Sequence, residues 1–338
     1  MKTRRYISTR LFVIALLVSL VTGCQDQLDV GNPNAPTVAG NVNDIEGLAA
    51  LAKGAVYITG FVNGDFWLGN SYFSLPYAYQ ELLGDVVGAQ AANQLISTLS
   101  IPDYFILDNG AKTTNTATSI GLIRANNTRA QTGSGYNPTY YQWMNMYALN
   151  NGMNEVLEII ESIEEVNSNP TAKATFQAWC YWWKGYAYAS IGSMYYAGLI
   201  VDETGVLSSD YVTHDAIIAR SDYYLGLAST TLDGASDATT YNGIMENLIP
   251  DFTLVGHGLS TANASGLMTP AEWKRNINTM LARNILINHL APFVNGTMSA
   301  TITKSTVTPM TNADWTAVRT LATNGILPTE AVFTGRTV

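Results

Sequence analysis

Apolar residues recur at helical spacing along much of the chain, and each such stretch predicts an amphipathic helix. The first stretch runs from Asp44 to Thr59 and the second from Pro138 to Val166. Further helices are predicted at about Thr171 to Met194, at His214 to Leu232, at Pro270 to about Leu290, and from Thr311 onwards. Between Leu232 and Asn263 we expect a connection that contains glycine and asparagine. Because helical stretches dominate, the pattern predicts an all-α fold.

Two of the predicted helices have recognisable first turns. Thr269 stands at the N-cap position, Pro270 at the first helical position and Glu272 at the third. In such a capping box the threonine oxygen and the glutamate carboxylate accept hydrogen bonds from backbone N–H groups that otherwise lack partners. Thr311 and Asp314 repeat this spacing at the last predicted helix. We therefore expect helices to begin at both positions.

Residues 62–138 lack clear periodicity, apart from a short helix predicted from Tyr77 to Val87. They are rich in Gly, Asn, Ser, Thr and aromatic residues. A stretch of this length without repeating structure is usually functional or disordered, and its aromatic residues favour an ordered segment. Within it, Tyr104 and Phe105 belong to an apolar run and are expected in the core. Residues 113–116 are expected in a solvated loop.

The arrangement of the helices is predicted from their lengths and from the small residues along them. Small residues such as Gly185 and Ala187 favour close crossings between antiparallel helices. The helix that starts near Thr171 carries aromatic residues all round, as expected of a helix buried between others. The pattern therefore predicts a tetratricopeptide-like scaffold with long irregular loop segments, although the repeat is degenerate. A plain helical bundle is the alternative.

The N-terminus has the pattern of a bacterial lipoprotein signal. The basic residues Lys2, Arg4, Arg5 and Arg10 precede an apolar run from Leu11 to Val21, and Val21-Thr22-Gly23-Cys24 supplies small residues that end in cysteine. The apolar run is well short of the roughly 20 residues that a transmembrane helix needs. We expect removal of residues 1–23, lipidation of Cys24, a tether over 24–43 and one domain over 44–338. An ordinary cleaved signal with a chance cysteine is the alternative.

The charge and composition exclude some classes of ligand. The chain has a formal net charge of −9, and an acidic chain repels polyphosphate, which argues against nucleic acid as a partner. Only 13% of the residues are charged, against roughly a quarter in ordinary soluble domains. The chain also has 19 Tyr and 7 Trp, which suit either a wide aromatic core or a surface that holds neutral polar ligands by stacking.

Residues that carry catalysis in other proteins form no recognisable site in this sequence. Cys180 lies among tryptophan and tyrosine, where a small buried residue is expected. The histidines His214, His257 and His289 are far apart and lack the spacing of metal ligands. The glutamates that resemble a hydrolase pair fall on the solvated side of their helix: Glu158, Glu161, Glu164 and Glu165. We predict no enzyme, no metal site and no cofactor; a glycoside hydrolase with two distant carboxylates is the enzyme alternative.

Several segments, taken in order, resemble a known family. They are the lipobox followed by Asp26, Leu28, Asp29 and Asn32-Pro33, then Glu81 to Asp85, Tyr140 to Tyr147 leading to Asn151, Trp183 to Tyr188, Asn276 to Leu286 with Ala282-Arg283, and Trp315 to Val318 with Leu321 to Ile326. In order and spacing they resemble the SusD/RagB outer-membrane nutrient-binding lipoproteins of Bacteroidota. The resemblance covers the chain from Cys24 to about Phe333.

The resemblance implies a lipid-anchored protein on the cell surface, in the outer membrane. Such a protein captures oligosaccharides or similar nutrients and passes them to a SusC-like TonB-dependent barrel, and it is not an enzyme. Family members are considerably longer, so the resemblance also implies that the C-terminal part is missing from this chain. The alternative from another class is a helical-repeat structural or assembly lipoprotein that binds protein partners.

The candidate ligand-binding residues lie in the irregular segment: Trp67, Asn70, Tyr72, Tyr77 and Tyr79. Sugar rings carry C–H groups that stack on tryptophan and tyrosine, and their hydroxyls pair with amides. A loop with aromatic and amide side chains is therefore the composition expected of an oligosaccharide site. The alternative is that these aromatic residues cover the scaffold.

Overall fold

Helices account for most of the secondary structure, which confirms the prediction of an all-α protein at that level. The computed structural model describes residues 42–57, 104–114, 138–249, 267–290 and 309–328 together with Glu330. The helices are α1 Ile45–Tyr57, α2 Pro138–Ile160, α3 Glu164–Asn167, α4 Pro170–Met194, α5 His214–Thr231, α6 Ala238–Leu248, α7 Pro270–Leu290 and α8 Asn312–Thr323. A 3-10 turn at Leu232–Gly234 follows α5 directly.

The described residues also form two short antiparallel strand pairs. β1 Tyr104–Ile106 pairs with β2 Lys112–Thr114, and Gly110 in the connecting turn has a φ of 81°. β3 Ala197–Gly198 pairs with β4 Val212–Thr213, so that Ala197 lies opposite Thr213. The second pair brings together the two ends of the segment that joins α4 to α5.

The predicted capping boxes are present at the two positions where the sequence places them. The Thr269 N–H donates to Glu272 Oε2 at 2.7 Å, and the Glu272 N–H donates to Thr269 Oγ1 at 3.3 Å. Thr311 and Asp314 form the same reciprocal pair at the start of α8. At α4 the side chain of Asn169 accepts from the first turn, and proline follows it at the first helical position. These local hydrogen bonds explain why the helix starts are readable from sequence.

In the series α2, α4, α5, α7 and α8, each helix runs antiparallel to the one before it. Gly185 of α4 faces Leu225 of α5, and Gly192 faces Ile218, so the two helices run in opposite directions. A Cβ on Gly185 would lie 2.7 Å from Leu225 Cγ, which confirms the expected close crossing at this glycine. α7 is parallel to α4 and hence antiparallel to α5, and α8 returns along α7.

The core lies around α4, which packs against α2, α5, α6 and α7. Its large and fully buried side chains come from several helices: Leu48, Met146, Met153, Phe176, Tyr188, Ile191, Ile217 and Tyr241. The expectation that α4 is buried all round is correct for Phe176, Trp179 and Tyr188. It is wrong for Trp182, Trp183 and Tyr186, which are partly exposed. No helix among the described residues is long and apolar enough to cross a membrane.

Three other expectations of the sequence were wrong in detail. The second predicted helix does not continue to Val166, because the Ser162 hydroxyl donates to the Ile159 carbonyl and Ile163 is extended before the short α3. The connection expected after Leu232 contains α6, whose N-cap is Asp237. Tyr104 is 48% exposed instead of buried. Its ring packs under the ammonium of Lys112, 3.7 Å from the ring centroid.

Candidate functional site

The candidate residues Trp67, Asn70, Tyr72, Tyr77 and Tyr79 lie outside the described residues, and so does the predicted lipid attachment at Cys24. The signal peptide over 1–23, the tether as far as Asn41 and the short helix from Tyr77 lie outside them as well. All of these stay predictions. The described residues contain a separate set of aromatic and charged side chains, which lie on two sides of α4.

On one side of α4, aromatic rings line up beside α7. Trp182 and Tyr186 lie one turn apart, and their rings stack with an interplanar angle of 9° and centroids 5.6 Å apart. Trp183 meets the edges of both rings. All three side chains are partly exposed. Because they stand on a helix that is held on other sides by the core, the rings are presented in a fixed orientation.

Polar groups extend this row of rings at both ends. Trp182 Nε1 donates to Asn276 Oδ1 of α7 at 2.9 Å. Towards the end of α4, Arg283 Nη1 of α7 donates to Ser193 Oγ at 3.3 Å. We call this surface the α4–α7 strip and define it by Trp182, Trp183, Tyr186, Ser193, Asn276 and Arg283. At 1.5 Å per helical residue it extends about 16 Å from Trp182 to Ser193.

The guanidinium of Arg283 has no acid beside it in the part of the chain that the structure describes. Burial lowers the pKa of Arg283, and the nearby Tyr186 hydroxyl opposes this only in part. The arginine nevertheless keeps its charge at neutral pH, as arginine does throughout proteins. By contrast Arg275, two turns earlier on the same helix, binds Glu330 through Nε at 2.9 Å and through Nη2.

Behind the strip, a buried amide connects Arg283 to the other helices. Asn284 is fully buried, and its Nδ2 donates to Asp222 Oδ1 at 2.8 Å and to Ser221 Oγ at 3.0 Å. Its Oδ1 accepts from Arg283 Nη1 at 3.4 Å. Burial raises the pKa of Asp222, while the hydrogen bond from Asn284 lowers it. Arginine and aspartate are thus linked through an amide and do not form an ion pair.

On the opposite side of α4, two tyrosine hydroxyls hold the segment that leads to α5, which we call the 199–211 loop. Tyr147 Oη accepts from the Leu199 N–H at 2.6 Å and is 3.0 Å from the Leu199 carbonyl oxygen. Tyr188 Oη accepts from the Val201 N–H at 2.9 Å. Its proton can go to the Val201 carbonyl or to Asp202 Oδ1, each 3.0 Å away.

A charged group lies beneath this loop, and we call it the Lys184 cluster: Asn154, Lys184, Asp202, Arg220 and Tyr224. Lys184 is fully buried, donates to Asn154 Oδ1, and has its Nζ 3.5 Å from Asp202 Oδ1. Arg220 also donates to Asp202 and stacks over Tyr224, with 4.9 Å between the guanidinium carbon and the ring centroid. The Asp202 carboxylate therefore forms ion pairs with both cations.

The protonation of the Lys184 cluster follows from this geometry. Burial lowers the pKa of Lys184 to about 8, and the charge and hydrogen bond of Asp202 oppose that effect. For Asp202, burial acts to raise the pKa, but the hydrogen bonds from Tyr224 and Arg220 outweigh it and bring the pKa below its usual range. The cluster is a structural anchor, because every charge in it has an opposite charge beside it.

Beyond the anchor, the outer side of the 199–211 loop is apolar and exposed. Leu207 is 99% exposed and Val206 is 47% exposed. Tyr211 is 58% exposed and lies roughly parallel to Trp143, with 6.5 Å between ring centroids. Trp143 in turn meets the Tyr195 ring edge-on at 5.0 Å. This surface offers apolar contact area, but its stacked rings lack the amide and guanidinium of the α4–α7 strip.

Cys180 and four glutamates lie where the sequence predicts. Cys180 is fully buried, and burial raises the pKa of its thiol far above the usual value. The glutamates Glu158, Glu161, Glu164 and Glu165 are all exposed. Within the described ranges, no three His, Cys, Asp or Glu side chains come together in a group that could hold a metal ion. His257 lies outside these ranges.

Sequence reasoning assigned the aromatic residues of α4 to the core and gave Arg283 no role. A signal for the strip was nevertheless present. Trp182, Tyr186 and Ser193 share one face of α4, and Asn276 and Arg283 are seven residues apart on α7, which also places them on one face. The sequence does not show that these faces of α4 and α7 lie beside each other.

Comparison of the chain with protein-family models, with functionally characterised proteins and with solved structures finds no match. The resemblance to the SusD/RagB family therefore stays a prediction. A function for the chain rests on its residues and on the geometry that brings them together.

Proposed function

We propose that this protein is a cell-surface lipoprotein of the SusD/RagB type. It is anchored in the outer membrane through lipid on Cys24, binds oligosaccharides or similar nutrients, and passes them to a SusC-like TonB-dependent barrel. It acts by binding and not as an enzyme. The observation that carries the proposal is the α4–α7 strip, in which partly exposed rings, an amide and a guanidinium share one surface of a helical scaffold.

The strip suits a saccharide for two physical reasons. The C–H faces of a sugar ring pack well on an aromatic ring, and in this proposal a sugar ring packs on an outer face of the stacked Trp182–Tyr186 pair. Sugar hydroxyls need hydrogen-bond partners, and in this proposal the amide group of Asn276 at the margin of the strip is one of them. Because these groups stand on packed helices, little conformational entropy is lost when a ligand binds.

A tetratricopeptide-like arrangement of the scaffold forms part of the proposal. Support comes from the succession of antiparallel neighbours from α2 through α4, α5 and α7 to α8. Close crossings at glycine also fit such an array, because a Cβ on Gly192 would meet Ile218 Cδ1 at 2.8 Å and one on Gly152 would meet Ala55 Cβ at 2.7 Å. Stacked helix pairs of this kind form long surfaces on which ligands bind.

The predicted residues of the irregular segment complete the proposed site. Trp67, Asn70, Tyr72, Tyr77 and Tyr79 have the same chemistry as the strip, namely rings that stack and an amide that forms hydrogen bonds. In this proposal they contribute a second contact surface for an oligosaccharide. Their contribution is separable from that of the strip by substitution of Trp67 and Trp182 one at a time.

The experiment that tests the proposal is a glycan array on the full-length acylated protein in detergent, followed by titration of each bound oligosaccharide. We expect Trp182→Ala to weaken binding by roughly 1–3 kcal/mol, the range found for loss of one aromatic stacking partner on a nucleobase. Trp315→Ala is the matched control, because Trp315 is 52% exposed on α8 and outside the strip. Absence of any bound glycan would contradict the proposal, and equal effects of the two substitutions would remove the strip from it.

The exposed outer side of the 199–211 loop favours a second candidate, a helical-repeat assembly lipoprotein that grips protein partners. Leu207 and Val206 are apolar and exposed, as is common where proteins associate. Leu207→Asp distinguishes the two functions. An assembly protein would lose its partner in cross-linking from cells, whereas nutrient binding by the purified variant would stay unchanged. A gene for a large TonB-dependent barrel beside this one would favour nutrient uptake.

A further inference from the structure

Arg283 differs from the other cations on its helix in the way its charge is compensated. Arg275 pairs with Glu330, and Lys274 pairs with Asp233. Arg283 forms no ion pair with any acid of the described residues, and its hydrogen bonds go to neutral oxygens of Ser193 and Asn284 at 3.3 and 3.4 Å. These bonds are long for a charged donor. The charge is therefore poorly satisfied within the described protein.

Such an arrangement lowers stability unless it serves another purpose. A cation that is partly removed from water loses hydration energy, and that loss is recovered only when an anion or several hydrogen bonds replace the water. For Arg283, two long hydrogen bonds to neutral oxygens replace that water only in part. Charged groups left in this condition are concentrated at binding sites. A ligand that brings an anion would remove the deficit.

The geometry restricts what that anion can be. A guanidinium has five N–H donors, and the two neutral acceptors engage only Nη1. A planar carboxylate fits the remaining fork with two parallel hydrogen bonds. Tyr186 lies near the guanidinium, and Trp182 stacks on Tyr186 one turn further along α4. A ligand whose carboxylate binds Arg283 would therefore place its adjoining ring beside these aromatic side chains.

Charge also limits the number of anionic groups on the ligand. The whole chain has a formal net charge of −9, which repels a polyanion at long range. One guanidinium at one end of an otherwise neutral strip matches one carboxylate per ring, followed by hydroxyl groups that reach Asn276 at the other end. A polyphosphate or a heavily sulfated chain would place several charges where the strip has only rings and an amide.

We propose that the α4–α7 strip binds an acidic saccharide, with the carboxylate of a uronic acid residue on the Arg283 guanidinium and a sugar ring on the Trp182–Tyr186 pair. The inference rests on the proposed function, because it names the class of oligosaccharide that the binding protein takes. Arg283 is a binding residue in this scheme. No bond is made or broken.

The test is a calorimetric titration of the full-length acylated protein with oligomers of galacturonate, glucuronate and mannuronate, each beside its methyl-esterified neutral form. We expect at least one acidic oligomer to bind at least tenfold more tightly than its ester, since hydrogen bonds to charged groups are the stronger kind. Arg283→Gln should abolish that preference, so that the variant binds the acid and its ester with equal affinity. Arg283→Lys should retain part of the preference, because the charge stays while the two-pronged geometry is lost.

A control variant and a stability measurement separate binding from structure. Arg319→Gln removes an exposed cation of α8 and should leave the preference for the acid unchanged. Thermal unfolding of Arg283→Gln should occur at the same temperature as that of the wild type or higher, since an uncompensated charge has been removed. A clear fall in unfolding temperature, with the preference for the acid intact, would show that Arg283 is structural and overturn the inference.

The remaining outcomes distinguish this inference from the proposed function. Binding of neutral saccharides alone, or equal affinity for acid and ester, overturns the acidic-saccharide inference and leaves nutrient binding in place. Binding of an acidic peptide instead of any saccharide overturns the inference and favours the assembly alternative. If neither the glycan array nor the titrations detect a saccharide, both the inference and the proposed function are wrong.

Discussion

The Lys184 cluster and the α4–α7 strip lie on opposite sides of α4, because Lys184 is two residues from both Trp182 and Tyr186 and successive helical residues are 100° apart. In both regions cations lie among aromatic rings between packed helices. In the cluster, Asp202 compensates Lys184 and Arg220. In the strip, no acid of the described residues compensates Arg283. Charge compensation therefore separates a structural anchor from a surface that can still gain energy from a ligand.

The Lys184 cluster lies beneath the 199–211 loop and holds it in place. The 199–211 loop has few apolar contacts, since Leu207 and Val206 are exposed. Its position is fixed by hydrogen bonds from Tyr147 and Tyr188 and by the charges of the Lys184 cluster. Hydrogen bonds and ion pairs between buried groups favour one arrangement, because any other leaves those groups without these partners.

The largest effect is expected when the acid of the anchor is removed. Asp202→Ala leaves Lys184 and Arg220 without their shared carboxylate and should lower the free energy of unfolding by about 3 kcal/mol. Urea denaturation measures the change. Asp210→Ala on the same loop is the control, because Asp210 is exposed, and it should change stability by less than about 0.5 kcal/mol. Similar effects of both variants would show that the cluster is not an anchor.

The next effect disturbs the crossing of α4 with α5; α4 is the helix that carries both regions. Gly185→Ala adds a methyl group 2.7 Å from Leu225 Cγ and should destabilise the protein by about 2 kcal/mol. Gly226→Ala on α5 is the matched control, since nothing lies within 4 Å of its added Cβ. That variant should be more stable by about 0.5–1 kcal/mol, the helix-propensity gain of alanine over glycine. If Gly185→Ala unfolds like the wild type, the crossing is looser than the structure shows.

A pH-dependent effect belongs to the anchor alone, and it is small per pH unit. Because the pKa of Lys184 is lowered from 10.5 to about 8, the folded protein releases this proton before the unfolded chain does. The Lys184 contribution to stability therefore rises between about pH 8 and pH 10, by up to about 1.4 kcal/mol per pH unit. Above pH 10 the buried tyrosines act in the opposite direction, since burial raises the pKa of Tyr188 and of Tyr224.

The variant Lys184→Met isolates this pH effect. Its free energy of unfolding, measured by urea denaturation from pH 7 to pH 10, should lack the rise that the wild type shows. Arg283→Gln should follow the wild type over the same range, because an arginine does not release its proton there. Parallel curves for the wild type and Lys184→Met would contradict the lowered pKa.

The smallest effect is expected at an exposed ion pair on the helix that carries Arg283. Lys274 pairs with Asp233, whose side chain is 74% exposed. Solvent screens such a pair, so Lys274→Ala should lower the free energy of unfolding by less than about 0.5 kcal/mol. A loss as large as that of Asp202→Ala would mean that solvent exposure does not explain the difference between the anchor and surface pairs.

Much of the helical structure was predictable because the signals for it are local. The capping boxes at Thr269 and Thr311 depend on residues three positions apart, and both helices begin there. The break near Ser162 was missed because its hydroxyl competes with the helix for a backbone carbonyl, which periodicity does not report. α6 was missed although Tyr241, Ile244, Met245 and Leu248 have helical spacing, because glycine and asparagine in that stretch suggested a connection.

The site was less predictable. Five ligand residues were predicted from composition in the irregular segment, and they remain a hypothesis outside the described residues. In the described part, Trp182 and Tyr186 were assigned to the core from the all-round apolar pattern of α4, whereas both are partly exposed. Composition gives the number of aromatic residues, but the exposure of each ring depends on which helix packs beside it.

The sequence by itself determined the helical class, the starts of α4, α7 and α8, and the close approach at Gly185, because caps, periodicity and glycine act over a few residues. Only the tertiary structure decided which charges are compensated. Asp202 reaches Lys184 and Arg220 from a loop, and Arg283 reaches Ser193 from another helix. The energy of a charge depends on what lies within a few ångströms of it, and residues distant in sequence set that environment.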